Sequence, residues 1–166
     1  MNQSNDHEAI QQEFQTLRES LKTVQLATVD AEGNPDSSYA AFVWIESACY
    51  VYLSELARHC TNLISNPVVS LLFIESEESS KNLFARRRIV LRGEVHNIAR
   101  KSAQFDNVMT EFKLRFGVFI DVIEPLQDFH LFQVNPRSGR FIRGFAQAYE
   151  LTGPGLNQIR HIDPRT

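Results

Sequence analysis

A chain of 166 residues, 43 % hydrophobic and 22 % charged, has the material for one domain with a real core. Its net charge of −3 speaks against a nucleic-acid partner, and no apolar run approaches the roughly 20 residues that a membrane helix needs. Two cysteines, Cys49 and Cys60, are too few for a disulfide framework and lack metal-site spacing, so both are expected to be reduced. The polar start MNQSNDHEAI lacks the pattern of a signal peptide, and the expected location is the cytoplasm.

The whole chain, 1–166, reads as one domain with an N-terminal helix within 1–21 and an extended tail over 152–166. In the helix, Ile10, Phe14, Leu17 and Leu21 recur at amphipathic spacing. Residues 23–30 (TVQLATVD) alternate and are rich in β-branched side chains. AEGNP follows as a turn, then strands over 36–46 and 49–53; the short links predict an antiparallel meander. Residues 57–65 read as a short helix stopped at Asn66-Pro67, because the residue before a proline is pushed out of the α region. The apolar run 68–74 (VVSLLFI) reads as a central strand, and one helical turn is expected near 81–84.

Residues 87–97 (RRIVLRGEVHN) form a strand with Ile89 and Leu91 on one face and Arg88, Val90 and Arg92 on the other. Gly93 inside it marks a bulge or a close backbone approach. Residues 98–116 read as the longest helix, striped by Phe105, Val108, Phe112 and Phe116 and interrupted at Gly117, with another turn over 118–123. A strand over 128–135, a turn at Pro136-Arg137-Ser138-Gly139 and a last strand over 140–149 complete the body. Six or seven antiparallel strands with helices between them exclude a doubly wound fold, which needs strand–helix alternation. They predict a mainly β (α+β) antiparallel split barrel with flanking helices. An exposed barrel edge is a hazard, and many such barrels are dimers.

Arg58 and His59 stand at the mouth of the short helix. They are either solvated residues or contacts to an anionic ligand; two cations there oppose the helix dipole, which an anion would relieve. Arg86, Arg87, Arg88 and Arg92 form a local basic patch just after Glu75, Glu77 and Glu78. Arg86 and Arg87 fit charge protection of an edge strand, and Arg88 and Arg92 fit an anion cradle. Asp128 shares a strand face with His130, where a carboxylate can orient a histidine, but read alone it is an ordinary strand entry. His161 sits in a tail that the core does not need, and His7 and His96 carry no pattern. No phosphate loop of the P-loop or Rossmann type and no Ser-His-Asp arrangement is legible.

The segments ARHCTNLISNPVVSLLF, LFARRRIVLRGEV, LQDFHLF and GRFIRGFAQAY, in this order and spacing, resemble the haem-iron-utilisation (HugZ-type) proteins. These belong to the pyridoxamine-phosphate-oxidase-like split-barrel superfamily, and the resemblance runs from about Leu17 to about Leu151. It implies a homodimer with a small-molecule cleft at the subunit interface. Flavin relatives bind FMN there, with a basic pair at the positions of Arg58 and His59 holding the phosphate and two further cations on the second strand, where this chain has Ser38 and Val43. The haem branch binds haem, and some members open the ring oxidatively. That branch places an aspartate at the position of Asp128 against an iron-ligating C-terminal histidine; this tail offers His161 alone. The resemblance therefore implies a haem-degrading activity with FMN binding or non-catalytic haem carriage as alternatives. It assigns Arg58, His59, Asn62, Arg88 and Arg92 to the cofactor, Asp128 and His161 to catalysis, and His161 or His59 to the iron.

Overall fold

The protein is described by a computed structural model covering residues 3–163. The chain opens with helix α1, Gln3–Ser20, whose Ile10 and Leu17 are buried. Strands β1 (Thr23–Val29), β2 (Pro35–Ile45) and β3 (Ala48–Ser54) follow as the antiparallel meander that their short links predict. Asp30 shapes the first turn by accepting from the backbone N–H groups of Glu32 and Asn34. Helix α2, Arg58–Ser65, ends where Asn66 swings into extended backbone and its amide donates to the Asp30 carbonyl at 2.7 Å.

Strands β4 (Val68–Ile74) and β5 (Arg88–Ile98) are joined through a single 3-10 turn, Leu83–Ala85. Helix α3, Ala103–Phe116, is capped by Ser102, whose hydroxyl accepts from the Phe105 N–H at 3.1 Å. Gly117, at φ +74°, breaks it and helix α4, Phe119–Ile123, follows. Strands β6 (Phe129–Gly144), β7 (Gln147–Thr152) and β8 (Gln158–His161) end the chain.

Strand order is β3-β2-β1-β4-β5-β6, and β6 also pairs with β3, so these six strands close into a barrel, with β7 and β8 added beyond β6. Every pairing is antiparallel. One apolar cluster fills the barrel, with Phe42, Leu71, Phe73, Leu91, Phe132 and Phe141 at its centre and Ile10 and Leu17 of α1 and Cys60 and Leu63 of α2 closing it. A second packs α3 and α4 against β2, β3 and β6 through Val43, Tyr50, Tyr52, Phe105, Met109 and Phe112. Arg100 pins that lobe, donating to the carbonyls of Glu124, Leu126 and Phe129 and to the Tyr52 hydroxyl. Among the described residues, no helix is long and apolar enough to cross a membrane.

The barrel itself has six strands, within the expected number, and the described residues add β7 and β8 outside it because the tail does not stay free: after a turn at Pro154–Leu156 it pairs back onto β7, Leu151 against Ile159. Pro136-Arg137-Ser138-Gly139 is not a turn. It lies inside β6, and the reversal falls later, at Phe145-Ala146, where Ala146 takes a φ of +57°. The proline is tolerated because it has no N–H to give a ladder and stands opposite Gly93, beside the register shift between Arg92 and Gly93. Helix α3 begins at Ala103 rather than at 98, since Ile98 still pairs with Leu131. Strand β5 is not an edge; it is held between β4 and β6.

Gly93 stands opposite a bulge, whose extra residue is Arg137 of β6, and is also a close approach. A Cβ there would lie 2.8 Å from the Asn135 carbonyl oxygen and 2.8 Å from Val134 Cγ1. Gly93→Ala is therefore expected to lower stability by about 1–3 kcal/mol, by forcing apart the strands at the barrel's bend. Urea denaturation with an unshifted midpoint would contradict this.

Candidate functional site

The sequence-predicted residues fall into three places. The first is the corner where β3 runs into α2. Ala57, the residue before α2, offers no side-chain cap and the first turn holds no acid, so the helix start presents its N–H groups with only the basic Arg58 and His59 beside them. Arg58 is exposed. His59 is half-buried, and its Nδ1 lies 2.8 Å from the Ser38 hydroxyl of β2. Burial pushes the His59 imidazole below its ordinary value, against the pull of the nearby Asp36 carboxylate. Asn62 does not face the corner's mouth: it is buried and donates to Thr28 Oγ1 at 3.0 Å, fastening α2 to β1. Val43, at the other strand-two position, belongs to the core.

Asp128 lies behind this corner. It accepts from the Ser54 hydroxyl at 2.6 Å, and its carbonyl accepts from the Glu55 N–H. The carboxylate that orients His130 is Glu55, not Asp128, with His130 Nε2 2.6 Å from Glu55 Oε1. Asn97 occupies the other ring nitrogen at 3.2 Å. Nothing in the sequence pairs Glu55 with a residue 75 positions away. The link arises because β3 and β6 run antiparallel, Ser54 against Phe129.

The second place is a groove of about 330 Å³ on the outer face of β5, β6 and β7, lined by Arg88, Val90 and Arg92 and by Ser138, Arg140 and Ile142, with Glu150 at its side. The register explains it: Arg88 stands opposite Ile142, Val90 opposite Arg140 and Arg92 opposite Ser138. Three guanidinium groups thus surround an apolar floor of Val90 and Ile142. Arg140 was not singled out from sequence. Its signal was the alternation Ser138, Arg140, Ile142, hidden by reading these residues across a turn. Glu150 takes Arg160 as its partner, with Arg160 Nε at 3.2 Å.

Arg86 and Arg87 do not join this groove. Arg86 donates to the Glu75 carbonyl, and Arg87 donates to the Glu75 carboxylate from its backbone N–H at 2.7 Å and from Nε at 2.8 Å. Instead of guarding an edge by charge, they clamp a loop.

The third place is β8. His161 pairs with Tyr149 and meets its ring edge-on at 5.2 Å, facing α1 beside His7 and Ile10. That is the face opposite Glu150 and the arginine groove. Asp128 and His161 sit at opposite ends of β6 within one chain, since Phe129 starts that strand and Phe141 aligns with Tyr149.

Comparison with known proteins adds relatives. Residues 10–143 match the family profile described as pyridoxamine 5'-phosphate oxidase. The chain is 41 % identical over 154 residues to heme oxygenase HutZ of Vibrio cholerae, spanning 93 % of this chain and 88 % of that one. A crystal structure of HutZ, described there as a heme storage protein, matches with a TM-score of 0.74 over 77 % of this chain and 90 % of the other. Campylobacter jejuni ChuZ matches with a TM-score of 0.86 at 30 % identity, over 98 % of this chain and 64 % of its own. An FMN-binding protein of Nostoc punctiforme shares the fold at 15 % identity, with a TM-score of 0.62 over 94 % of this chain and 95 % of its own.

The clamp on Glu75 makes a pH prediction. Burial alone would raise this carboxyl; the Arg87 hydrogen bonds and charge outweigh it and hold it below its ordinary value. A carboxyl depressed on folding stabilises fully above its unfolded value, near 4.3, and loses that contribution as pH falls through the folded value. Glu75→Gln should therefore lower stability at pH 7 by about 1–3 kcal/mol, with the deficit shrinking below pH ~4. Chemical denaturation across pH checks it; a deficit that grows on acidification would contradict the clamp.

Proposed function

The chain belongs to the pyridoxamine 5'-phosphate oxidase family, within its haem-utilisation branch, and from that premise we propose that it binds haem and degrades it oxidatively for iron utilisation. The observation that carries this reading is the outer groove of β5 and β6. Haem presents a flat apolar ring with two carboxylates at one edge, and the groove sets Arg88, Arg92 and Arg140 around Val90 and Ile142. Guanidinium pairs carboxylates in bidentate fashion, and the apolar floor takes the ring. In this reading Arg88, Arg92 and Arg140 hold the propionates, and Ile142 and Val90 keep water from the ring face. Bound haem would be the substrate and would also supply the redox centre, with molecular oxygen as the oxidant and electrons from an external reductant.

The protein functions as a homodimer in this proposal. The outer faces of β1, β2 and β4 expose Ala27, Tyr39, Ala41 and Val68, Tyr39 to 69 % and Val68 to 51 %. The resemblance implies a ligand cleft between two copies, in which an aspartate at the position of Asp128 would meet a tail histidine, here His161. The iron ligand is then His161, or His59 from the α2 corner. Cys49 and Cys60 are buried and unpaired, burial pushing the Cys60 thiol up to about 11, as suits a reducing cytoplasm.

One observation favours a second reading, FMN binding: the uncapped start of α2 with Arg58 and His59 is a phosphate site in the making. Against it stands the pairing of His59 with Ser38, where a flavin site would carry a cation.

Haemin titration separates these readings. The expected result is a saturable Soret shift, followed by loss of the band with ascorbate and oxygen. Arg92→Ala and Arg140→Ala should each weaken binding about tenfold or more. No Soret shift with haemin, together with a melting temperature raised by FMN, would favour flavin. Haem binding without turnover would make the protein a carrier. Sedimentation at micromolar concentration should give a species of twice the chain mass; a strict monomer would remove the shared cleft.

A further inference from the structure

A second cavity, of about 340 Å³, lies away from both the α2 corner and the arginine groove, between α1, the β2–β3 hairpin, the bend of β6 and the β7–β8 link. Its size is at the lower end of ligand pockets, about 300 to 1,000 Å³. Phe14, Pro136, Leu156 and Ile159 form apolar walls, and Gln11 and Asn135 supply amides. Arg18 also lines it, with a side chain only 12 % exposed and its guanidinium carbon 4.3 Å from the centre of the Trp44 ring.

This arginine is poorly answered. Its nearest carboxylate is Glu19, adjacent in sequence, 3.5 Å away and well exposed, and Arg18 Nε has no hydrogen-bond partner among the described residues. Stacking on Trp44 covers the flat face of the guanidinium and leaves its donor edge as the group able to meet an anion. A buried cation without a close anion is costly, and a carboxylate on that edge relieves the cost. The walls are held under backbone strain as well. Of the non-glycine residues with positive φ among those described, Glu46 (+54°) and Leu156 (+61°) both line this cavity. The Trp44 indole N–H fastens the first by donating to the Glu46 carbonyl at 2.8 Å. Strain of this kind persists where surrounding contacts over-determine it, and it collects at ligand sites.

We propose that this cavity is a second binding site, for a small monocarboxylate with an apolar body, its carboxylate on Arg18 and its body against Phe14, Leu156 and Ile159. The exposed Glu46 carboxylate at the rim selects against ligands of higher negative charge such as phosphate. The site is independent of haem and stands whether or not the groove binds it.

Trp44 is the single tryptophan of the chain and touches Arg18, so its fluorescence reports directly. The haem-free full-length protein is titrated with benzoate and, separately, with inorganic phosphate. A saturable change in Trp44 emission with benzoate, absent with phosphate at equal concentration, is expected. Arg18→Gln should weaken the response about tenfold or more. Gln11→Phe, which fills the cavity without altering Arg18, should do the same with an unchanged far-ultraviolet circular dichroism spectrum, and it decides the matter if Arg18→Gln does not fold. No saturable benzoate response, an equal response in folded Gln11→Phe, or tighter binding of phosphate would each overturn the proposal.

Discussion

Strand β6 must close a barrel and then leave it. Its first half pairs with β3 on one side and β5 on the other, and its second half pairs with β5 and β7. A straight strand cannot serve both sheets, so the chain bends at Asn135-Pro136-Arg137, opposite the irregularity at Arg92 and Gly93. The bend needs a residue without a side chain on β5 and tolerates one without an N–H on β6, and glycine and proline meet each requirement. From this one joint follow the closed barrel, the direction of β7 and β8, and the two grooves on either side of the bend. Pro136 lines the inner cavity, and Ser138 and Arg140, just beyond it, line the outer groove.

The bend also assigns charge to places. On the outer side it brings Arg88, Arg92 and Arg140 from two strands around Val90 and Ile142. Within β5 alone these arginines are spaced as any amphipathic strand would space them. Register against β6 turns the row into a cradle with an apolar floor. The basic residues just upstream follow a different logic: Arg87 answers the buried Glu75 carboxylate, and Arg86 donates to the Glu75 backbone carbonyl. The four arginines within residues 86–92 are thus divided between a clamp on Glu75 and the outer groove.

Most of the fold was legible from local chemistry. The alternation of β1, the stop at Asn66-Pro67 and the run Val68–Ile74 are each set by residues near one another in sequence. What escaped depended on distant partners. Pro-Arg-Ser-Gly has the composition of a turn, and only its pairing with β5 makes it strand. The last strand, β8, contains a single half-buried apolar residue, Ile159, and exists because β7 offers it an edge. Of the site residues, Arg88 and Arg92 share a groove as their spacing implied. Asn62 serves the packing of α2 on Thr28, and His130 takes its carboxylate from Glu55 across the β3–β6 ladder. Arg58 and His59 keep their corner, but it is separate from the arginine groove within one chain.

In the proposed reading the arginine-rimmed face of β5 and β6 holds the carboxylate edge of haem. A crystal structure of the protein with haemin is expected to place propionate oxygens within hydrogen-bonding distance of at least two of Arg88, Arg92 and Arg140, with the ring against Val90 or Ile142. Haem seated away from all three arginines would contradict it.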